Sequence, residues 1–178
     1  MSDHGGPRFD GSRRPVWALE PGPGQESVWD YPRPPAVEPS DRLVTVHAGG
    51  RLVARTTRAV RVLETSHPPT WYVPLADVDP DALVTSAAPA TVCEFKGTAT
   101  YSDVVDDAGV RRHAAAWRYA DPLPGFETLA DRVAFVPRLL ECRVDGEAVT
   151  AQAGTFYAGW ITPDVVGPFK GGPGSWAW

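Results

Sequence analysis

The strongest constraint on the fold is a series of short runs in which apolar and polar residues alternate, with turn signals between them. Residues 43–56, LVTVHAGGRLVART, alternate on both sides of Gly49-Gly50, and two further runs flank Asp145-Gly146. Such dipeptides between alternating runs favour tight β-hairpin turns. Short, regularly spaced strands are typical of all-β sandwich or barrel-like folds. We therefore predict a mainly β fold with two antiparallel sheets in an open sandwich and one or two short helical turns.

The length and composition indicate one domain with irregular ends. The chain has 178 residues, of which 43% are hydrophobic, enough to build a core. Its 19 prolines and 17 glycines are concentrated in the first 40 and the last 20 residues. We predict an irregular N-terminal segment over 1–25, a β domain over 26–150, and an extension over 151–178 that packs on the domain. Its last 20 residues, GWITPDVVGPFKGGPGSWAW, are expected to be too rich in glycine and proline for regular structure.

Charge and hydropathy argue against several classes of partner. The net charge is −5 and the arginines are scattered, so nucleic acid is not predicted as a partner. No stretch approaches the roughly 18 apolar residues of a membrane span, and the N-terminus lacks the apolar core of a signal peptide. We therefore predict a cytoplasmic protein that does not bind membranes.

Metal and cofactor sites are not predicted either. Cys93 and Cys142 are far apart, and two thiols are too few for a cysteine-rich zinc site. The four histidines show no paired spacing, and the chain has no glycine-rich phosphate loop.

The segment 61–74, RVLETSHPPTWYVP, contains two candidate proton-transfer residues. Strand alternation places Glu64 on the same face as Val60 and Val62, and His67 on the opposite face. An inward-pointing Glu64 would need a partner or a shifted pKa, whereas at the strand end it could pair with an arginine near solvent. The two prolines after His67 hold its side chain on a stiff element, as in a binding site or a capped corner.

The segment 91–105, TVCEFKGTATYSDVV, contains a candidate lysine and predicts a strand pair or one bent strand. Gly97 favours a bulge or a close backbone approach. Lys96 could bind an anionic group or, if buried, act as a base. Cys93 shares a face with Tyr101 unless Gly97 shifts the register, and we expect Cys93 to pack in a core.

Aromatic residues form two pairs, Trp71 with Tyr72 and Trp117 with Tyr119. Trp117 and Tyr119 share a strand face because they are two residues apart. Such rings can line a pocket for a flat or cationic ligand, and they also build ordinary cores.

Three motifs in this order, LETSHPPTWYVP, TVCEFKGTATY and AAWRYADPLPG, resemble the bacterial family called domain of unknown function 427. The resemblance spans about residues 26–150. The chain departs from the family pattern at Trp71, where a tyrosine is usual, at Glu94, where a proline is usual, and at Ser102, where an aromatic residue is usual.

The resemblance implies a β-tent architecture, in which two antiparallel sheets are pinned at one edge and open at the other. Related zinc-pinned domains use cysteines that this chain lacks, so packing alone would hold its sheets. The family has carried a nucleotidyltransferase label, but the chain shows no paired-carboxylate metal motif after a Gly-Ser. No activity follows from the resemblance.

Two functions remain open from the sequence. The first is a small-molecule site between the sheets, for a ligand of unknown class, with or without catalysis. Glu64, His67 and Lys96 are its candidate catalytic residues, and its candidate ligand-binding residues are Tyr72, Cys93, Tyr101, Trp117 and Tyr119. The second is a protein-interaction module in which the tryptophan-rich ends contact a partner or a second copy of the chain. That hypothesis uses Trp17, Trp29, Trp160, Trp176 and Trp178.

Overall fold

The structure, a computed structural model, describes residues 14–178, so the first half of the predicted irregular segment 1–25 lies outside it. The strands, in chain order, are β1 (Glu26–Ser27), β2 (Ala36–Ser40), β3 (Val44–Ala48), β4 (Arg51–Thr56), β5 (Ala59–Leu63), β6 (Thr70–Pro74), β7 (Leu83–Thr85), β8 (Thr91–Cys93), β9 (Gly97–Val105), β10 (Arg111–Arg118), β11 (Arg132–Phe135), β12 (Glu141–Val144), β13 (Glu147–Ala148), β14 (Thr150–Ala151), β15 (Trp160–Ile161) and β16 (Val165–Val166). Single turns of 3-10 helix span Val28–Asp30, Leu75–Asp77, Pro80–Ala82 and Glu127–Leu129. The predicted mainly β fold with antiparallel sheets is confirmed, with four helical turns where one or two were expected. No helix within residues 14–178 has the length and apolarity needed to cross a membrane.

The larger sheet, here called the large sheet, has eight strands in the order β2-β5-β6-β11-β10-β9-β7, and β8 also pairs with β9. All of its neighbouring strands are antiparallel. The pairing of β9 with β10 is interrupted between Arg112 and Ala116 by a bulge. At this bulge Ala114 has a positive φ of 48°, and its N–H donates a hydrogen bond of 2.9 Å to the buried Asp103 carboxylate. The Asp103 carboxylate thus accepts a hydrogen bond from a backbone N–H that the bulge removes from the hydrogen-bond ladder between β9 and β10.

The small sheet has the order β13-β12-β3-β4 and contains both hairpins predicted from turn signals. Gly49 and Gly50 connect β3 to β4 with φ values of 54° and 89°. Asp145 and Gly146 connect β12 to β13 with φ values of 52° and 84°. Two consecutive positive φ angles define the hairpin turn whose twist matches the flanking strands, which is why these dipeptides occur here.

The main hydrophobic core lies between the two sheets. The large sheet contributes Trp71 and Phe135, and the small sheet contributes Val46 and Val144, all with at most 1% exposure. We call the face of the large sheet that carries Trp71 its inner face and the opposite face its outer face. Because neighbouring residues of a strand point to opposite faces, Tyr72 lies on the outer face.

The last 20 residues of the C-terminal extension contain two short strands, so the prediction that these residues lack regular structure is wrong. β14 pairs with β15, and β16 pairs in parallel with β1. The Trp160 backbone N–H donates to the Pro69 carbonyl at 2.8 Å, and its indole N–H donates to the Phe135 carbonyl at 3.1 Å. These short strands form because tertiary contacts with the large sheet outweigh the low strand propensity of the surrounding glycines and prolines.

Candidate functional site

Four aromatic residues named from the sequence lie together on the outer face of the large sheet. Strand pairing aligns Tyr72 with Ala134, Ala134 with Trp117, and Trp117 with Tyr101. Paired residues on neighbouring strands point to the same face, so these side chains form one row across β6, β11, β10 and β9. Tyr119 comes two residues after Trp117 and packs in the same group.

These aromatic residues belong to a second hydrophobic core, which is separate from the core between the sheets. Its buried members are Val60, Val62, Tyr72, Ala99, Tyr119, Phe126, Leu129 and Ala134, and Val37, Cys93, Phe95 and Trp117 are partly buried against it. The ring of Tyr72 lies 6.2 Å from Trp117 and 6.4 Å from Tyr119. The site residues therefore lie on the outer face of the large sheet, whereas the sequence analysis placed them between the sheets, where the main core leaves no room for them.

The hairpin formed by β8 and β9 brings Cys93 and Lys96 to this face. Cys93 pairs with Gly97, so residues 94–96 form the turn and Lys96 is at its end. The Lys96 Nζ lies 6.0 Å from the centroid of the Tyr119 ring, within cation–π distance. Among residues 14–178, no carboxylate lies within ion-pair distance of Lys96.

Gly97 has the positive φ that favours glycine, whereas the chain around it leaves ordinary contact distances. A Cβ atom at this position would be 3.4 Å from Leu123 and 3.5 Å from the Asp121 carbonyl oxygen, and Gly97 has a φ of 99°. The Leu123 N–H also donates to the Lys96 carbonyl at 3.1 Å. The loop after β10 therefore holds the end of the turn that carries Lys96.

Glu64 pairs with an arginine at the end of β5, as one of its two alternative interpretations predicted. The Arg33 guanidinium donates to the Glu64 carboxylate at 2.7 Å and to the Glu94 carboxylate at 2.8 Å. It also lies 5.0 Å from the centroid of the Phe95 ring. The Glu64 side chain is 20% exposed, so this pair forms near solvent at the edge of the outer face.

His67 lies at the other side of the turn that begins with Glu64. Its backbone N–H donates to the Glu64 carbonyl at 3.0 Å, and Ser66 between them has a φ of 72°. The imidazole Nδ1 lies 3.0 Å from the Gln152 Nε2, and the ring packs edge-on against Tyr157 at 4.5 Å. The C-terminal extension therefore contacts His67 directly.

Burial shifts the acid–base behaviour of several groups at the site. It lowers the pKa of His67 to about 4, with smaller contributions from the positive charges of Lys170, Lys96 and Arg33. It raises the pKa of the Tyr72 hydroxyl well above its usual value. The pKa of Tyr119 is raised by burial first and also by the nearby Cys93, Tyr101 and Glu64. The two tyrosines and His67 are therefore neutral at pH 7.

The structure brings together most of the residues named from the sequence. Tyr72, Cys93, Lys96, Tyr101, Trp117 and Tyr119 share the outer face, and Glu64 and His67 border it. Tyr101 also shares a hydrogen bond of 2.7 Å with Thr91 of β8. Sequence reasoning missed Arg33, Gln152, Tyr157 and Lys170, which carried no pattern that could have identified them.

A second polar cluster lies at the bulge of the large sheet, where Ser86 and Asp103 approach His113. The Ser86 Oγ lies 3.4 Å and the Asp103 Oδ1 lies 3.2 Å from the same imidazole nitrogen, Nδ1. A nucleophilic triad requires the serine and the carboxylate on different nitrogens of the ring. This cluster therefore does not have the geometry of a triad. Within residues 14–178, no group of three or more His, Cys, Asp or Glu side chains could hold a metal ion.

The comparison with known families agrees with the sequence motifs. No curated protein sequence matches the chain. The profile of the family described as domain of unknown function (DUF427) matches residues 36–150, which include β2 to β13 and every residue named from the sequence as part of the site. Because the match covers well over half of the 178 residues, the chain belongs to this family.

Proposed function

We propose that the protein binds a small molecule on the outer face of the large sheet. The observation that carries the proposal is the convergence of Lys96, Tyr101, Trp117 and Cys93 around the buried Tyr72 and Tyr119. The first four are only partly buried, so a ligand can reach them. Aromatic walls with a few polar groups on rigid strands are what a small-molecule site requires.

Binding is favoured over catalysis by the state of the two candidate proton-transfer groups. The Glu64 carboxylate is engaged by Arg33 at 2.7 Å, and the His67 Nδ1 is engaged by Gln152 at 3.0 Å. A general base needs a free lone pair within reach of the proton that it removes, and the one basic lone pair of His67 faces Gln152. The second oxygen of Glu64 keeps its lone pairs, but Arg33 holds this carboxylate at the edge of the outer face. Lys96 has no carboxylate partner among the described residues, so it is the group most available to a ligand.

A ligand screen by thermal shift tests the proposal, with the wild type beside Lys96→Met and Arg55→Met. Arg55 lies on β4 of the small sheet and is exposed, so its replacement removes one positive charge far from the site. A ligand that binds only the folded state stabilises it by about 2.7 kcal/mol at a hundredfold excess over its dissociation constant. We expect a stabilising metabolite to lose its effect in Lys96→Met and to keep it in Arg55→Met.

The outcome that contradicts binding at the outer face is a ligand that stabilises the wild type and Lys96→Met equally. Circular dichroism of each variant shows whether the fold is retained. If every ligand from the screen fails this comparison, the polar residues of the outer face serve only to stabilise the fold.

The second candidate function is association through the C-terminal extension. It is favoured by the exposure of Phe156 and Trp176, at 81% and 74%. Trp160 belongs to the main core and is unavailable to a partner, so its assignment to an interaction surface is wrong. Trp17, Trp29 and Trp178 pack on one another with centroid distances of 4.7 to 5.7 Å.

Sedimentation of the wild type and of the double variant Phe156→Ser, Trp176→Ser tests whether the extension mediates self-association. A concentration-dependent dimer only in the wild type supports it, and a wild-type monomer contradicts self-association.

A further inference from the structure

Gln152, from the C-terminal extension, is a buried side chain whose three hydrogen bonds converge on one corner of the site. Its Nε2 donates to the Lys170 carbonyl at 2.7 Å and lies 3.0 Å from the His67 Nδ1. Its Oε1 accepts from the Gly159 N–H at 3.0 Å. The side chain is 3% exposed and lies outside residues 36–150, which the family profile matches.

The chemistry of these partners fixes the orientation of the Gln152 amide. The Gly159 N–H can only donate, so the amide atom facing it is the oxygen. The Lys170 carbonyl can only accept, so the atom facing it is the NH₂ group. The reversed amide would set two donors against each other at Gly159 and two acceptors against each other at Lys170.

This orientation in turn determines which ring nitrogen of His67 carries the proton. The Gln152 NH₂ group only donates, so the His67 Nδ1 opposite it accepts and carries no proton. A neutral imidazole with an unprotonated Nδ1 carries its proton on Nε2. No acceptor for this Nε2–H is found among residues 14–178.

Three positive charges act on the His67 ring. Lys170, Lys96 and Arg33 each oppose protonation of the ring, and the backbone and ring contacts of His67 with Glu64 and Tyr157 add no negative group. Arg33 is shared by the Glu64 and Glu94 carboxylates, and the Lys170 Nζ donates to the Trp178 carbonyl at 2.6 Å. Lys96 has no carboxylate partner among the described residues, so the ring presents a neutral donor beside one positive charge that stays available to an anion.

We propose that Gln152 is a positioning residue, which holds His67 as an Nε2–H donor. Together with Lys96, this donor receives an anionic oxygen of the ligand, from either a carboxylate or a phosphate group. The choice of ligand class rests on the proposed function at the outer face. The assignment of Gln152 stands independently of it, because it follows from the contacts of the extension alone.

Nuclear magnetic resonance of the imidazole nitrogens in the full chain tests the role of Gln152 without a ligand. In the wild type we expect the His67 Nε2 to carry the proton and the Nδ1 to show the shift of an unprotonated nitrogen at pH 7. An Nδ1-protonated ring, or a rapid mixture of the two tautomers, would overturn the assignment.

Two variants of Gln152 separate positioning from a purely structural role. In Gln152→Glu the carboxylate only accepts, so we expect the His67 proton to move to Nδ1 and the ring to titrate at higher pH. In Gln152→Met we expect a mixture of tautomers. An unchanged His67 tautomer in a folded Gln152→Glu protein contradicts the proposal, and the wild-type spectrum decides the question if neither variant folds.

Titration with inorganic phosphate and, separately, with malonate tests the ligand class, at ionic strength matched with sodium chloride. We expect one of these anions to shift the His67 Nε2 resonance saturably in the wild type and in Arg55→Met. In Lys96→Met the affinity should fall at least tenfold. A response to phosphate alone or to malonate alone tells which of the two oxyanions the site takes.

The failures of the two proposals are distinguishable. If neither anion shifts the resonance while a neutral screened metabolite still requires Lys96, the anionic ligand class is wrong and the proposed binding function remains. If both anions act equally on the wild type and Lys96→Met, the response is nonspecific and the ligand class is overturned.

Discussion

At the scale of single residues, Glu64 and His67 lie three positions apart and have different environments. Glu64 ends a strand near solvent and shares Arg33 with Glu94. His67 is enclosed by the extension and by three positive charges. Burial without a negative partner disfavours the charged imidazole. One turn of the chain thus presents an arginine-paired carboxylate on one side and a neutral ring on the other.

The lowered pKa of His67 predicts a contribution to stability that is lost on acidification. The folded pKa of about 4 lies below the ordinary value of 6.5, so the unfolded chain takes up the proton first as the pH falls. The free energy of unfolding should therefore fall between pH 6.5 and pH 4, by about 3 kcal/mol from this residue. Urea unfolding at several pH values should show this loss in the wild type and not in His67→Asn.

His113→Asn is the matched control, because the His113 side chain is 66% exposed and lies at the bulge of the large sheet. The free energy of unfolding of this variant should fall between pH 6.5 and pH 4 by the same amount as that of the wild type. Equal pH dependence of the wild type and His67→Asn would show that His67 does not resist protonation in the folded state.

Residue types and strand periodicity predicted the faces of several site residues correctly. Trp117 and Tyr119, which are two residues apart, both pack on the outer face. Glu64 follows the last residue of β5 and lies at the edge of that face. The partners of Glu64 and His67 were beyond such reasoning. Arg33 and Gln152 reach them from positions 31 and 85 residues away along the chain, and no periodic pattern encodes a contact of that kind.

At the scale of elements, the corner formed by the two prolines after His67 is a docking surface for the extension. The chain passes so close to it that Gly159 has no room for a side chain. A Cβ atom there would be 2.6 Å from the Pro68 ring, 2.6 Å from the Pro68 carbonyl oxygen and 2.7 Å from the Gln152 amide oxygen. A rigid ring and a backbone atom cannot move aside as a flexible side chain would.

Gly159→Ala should therefore destabilise the protein by about 1–3 kcal/mol, the usual cost of overpacking. Gly172→Ala is the matched control, because a Cβ atom there meets nothing within 4 Å and the residue does not have a positive φ. We expect this control to be neutral or slightly stabilising, since alanine restricts the unfolded chain. Urea unfolding of both variants measures the difference in stability. Equal stability would show that the extension shifts at little cost to make room for the added methyl group.

The elements themselves were predictable where local chemistry defines them. The Gly49-Gly50 and Asp145-Gly146 hairpins follow from the turn that these dipeptides favour. The strands of the extension were not predicted, because β15 and β16 are two residues long and form only against partners elsewhere in the fold. Local propensity is a poor guide to such short strands.

At the scale of the whole molecule, the extension completes the main core, although it follows the residues that the family profile matches. Trp160 is fully buried between the sheets, with its ring 6.1 Å from that of Trp71. No pattern in the sequence distinguishes Trp160 from the exposed Trp176, because both lie among glycines. Only the position of each ring in the folded chain separates a core residue from a surface residue.

Trp160→Ala should therefore cost about 3–5 kcal/mol of unfolding free energy, since it removes a large ring from a packed core and leaves the Phe135 carbonyl without its indole donor. Trp176→Ala, with 74% of the residue exposed, should change the stability by no more than about 0.5 kcal/mol. Urea unfolding followed by circular dichroism compares the two variants.

We expect a single cooperative transition in the wild type, whose free energy of unfolding falls strongly in Trp160→Ala and not in Trp176→Ala. This result means that the family domain and the extension unfold as one unit. A loss below about 1 kcal/mol from Trp160→Ala would instead mean that the sheets close their core without the extension.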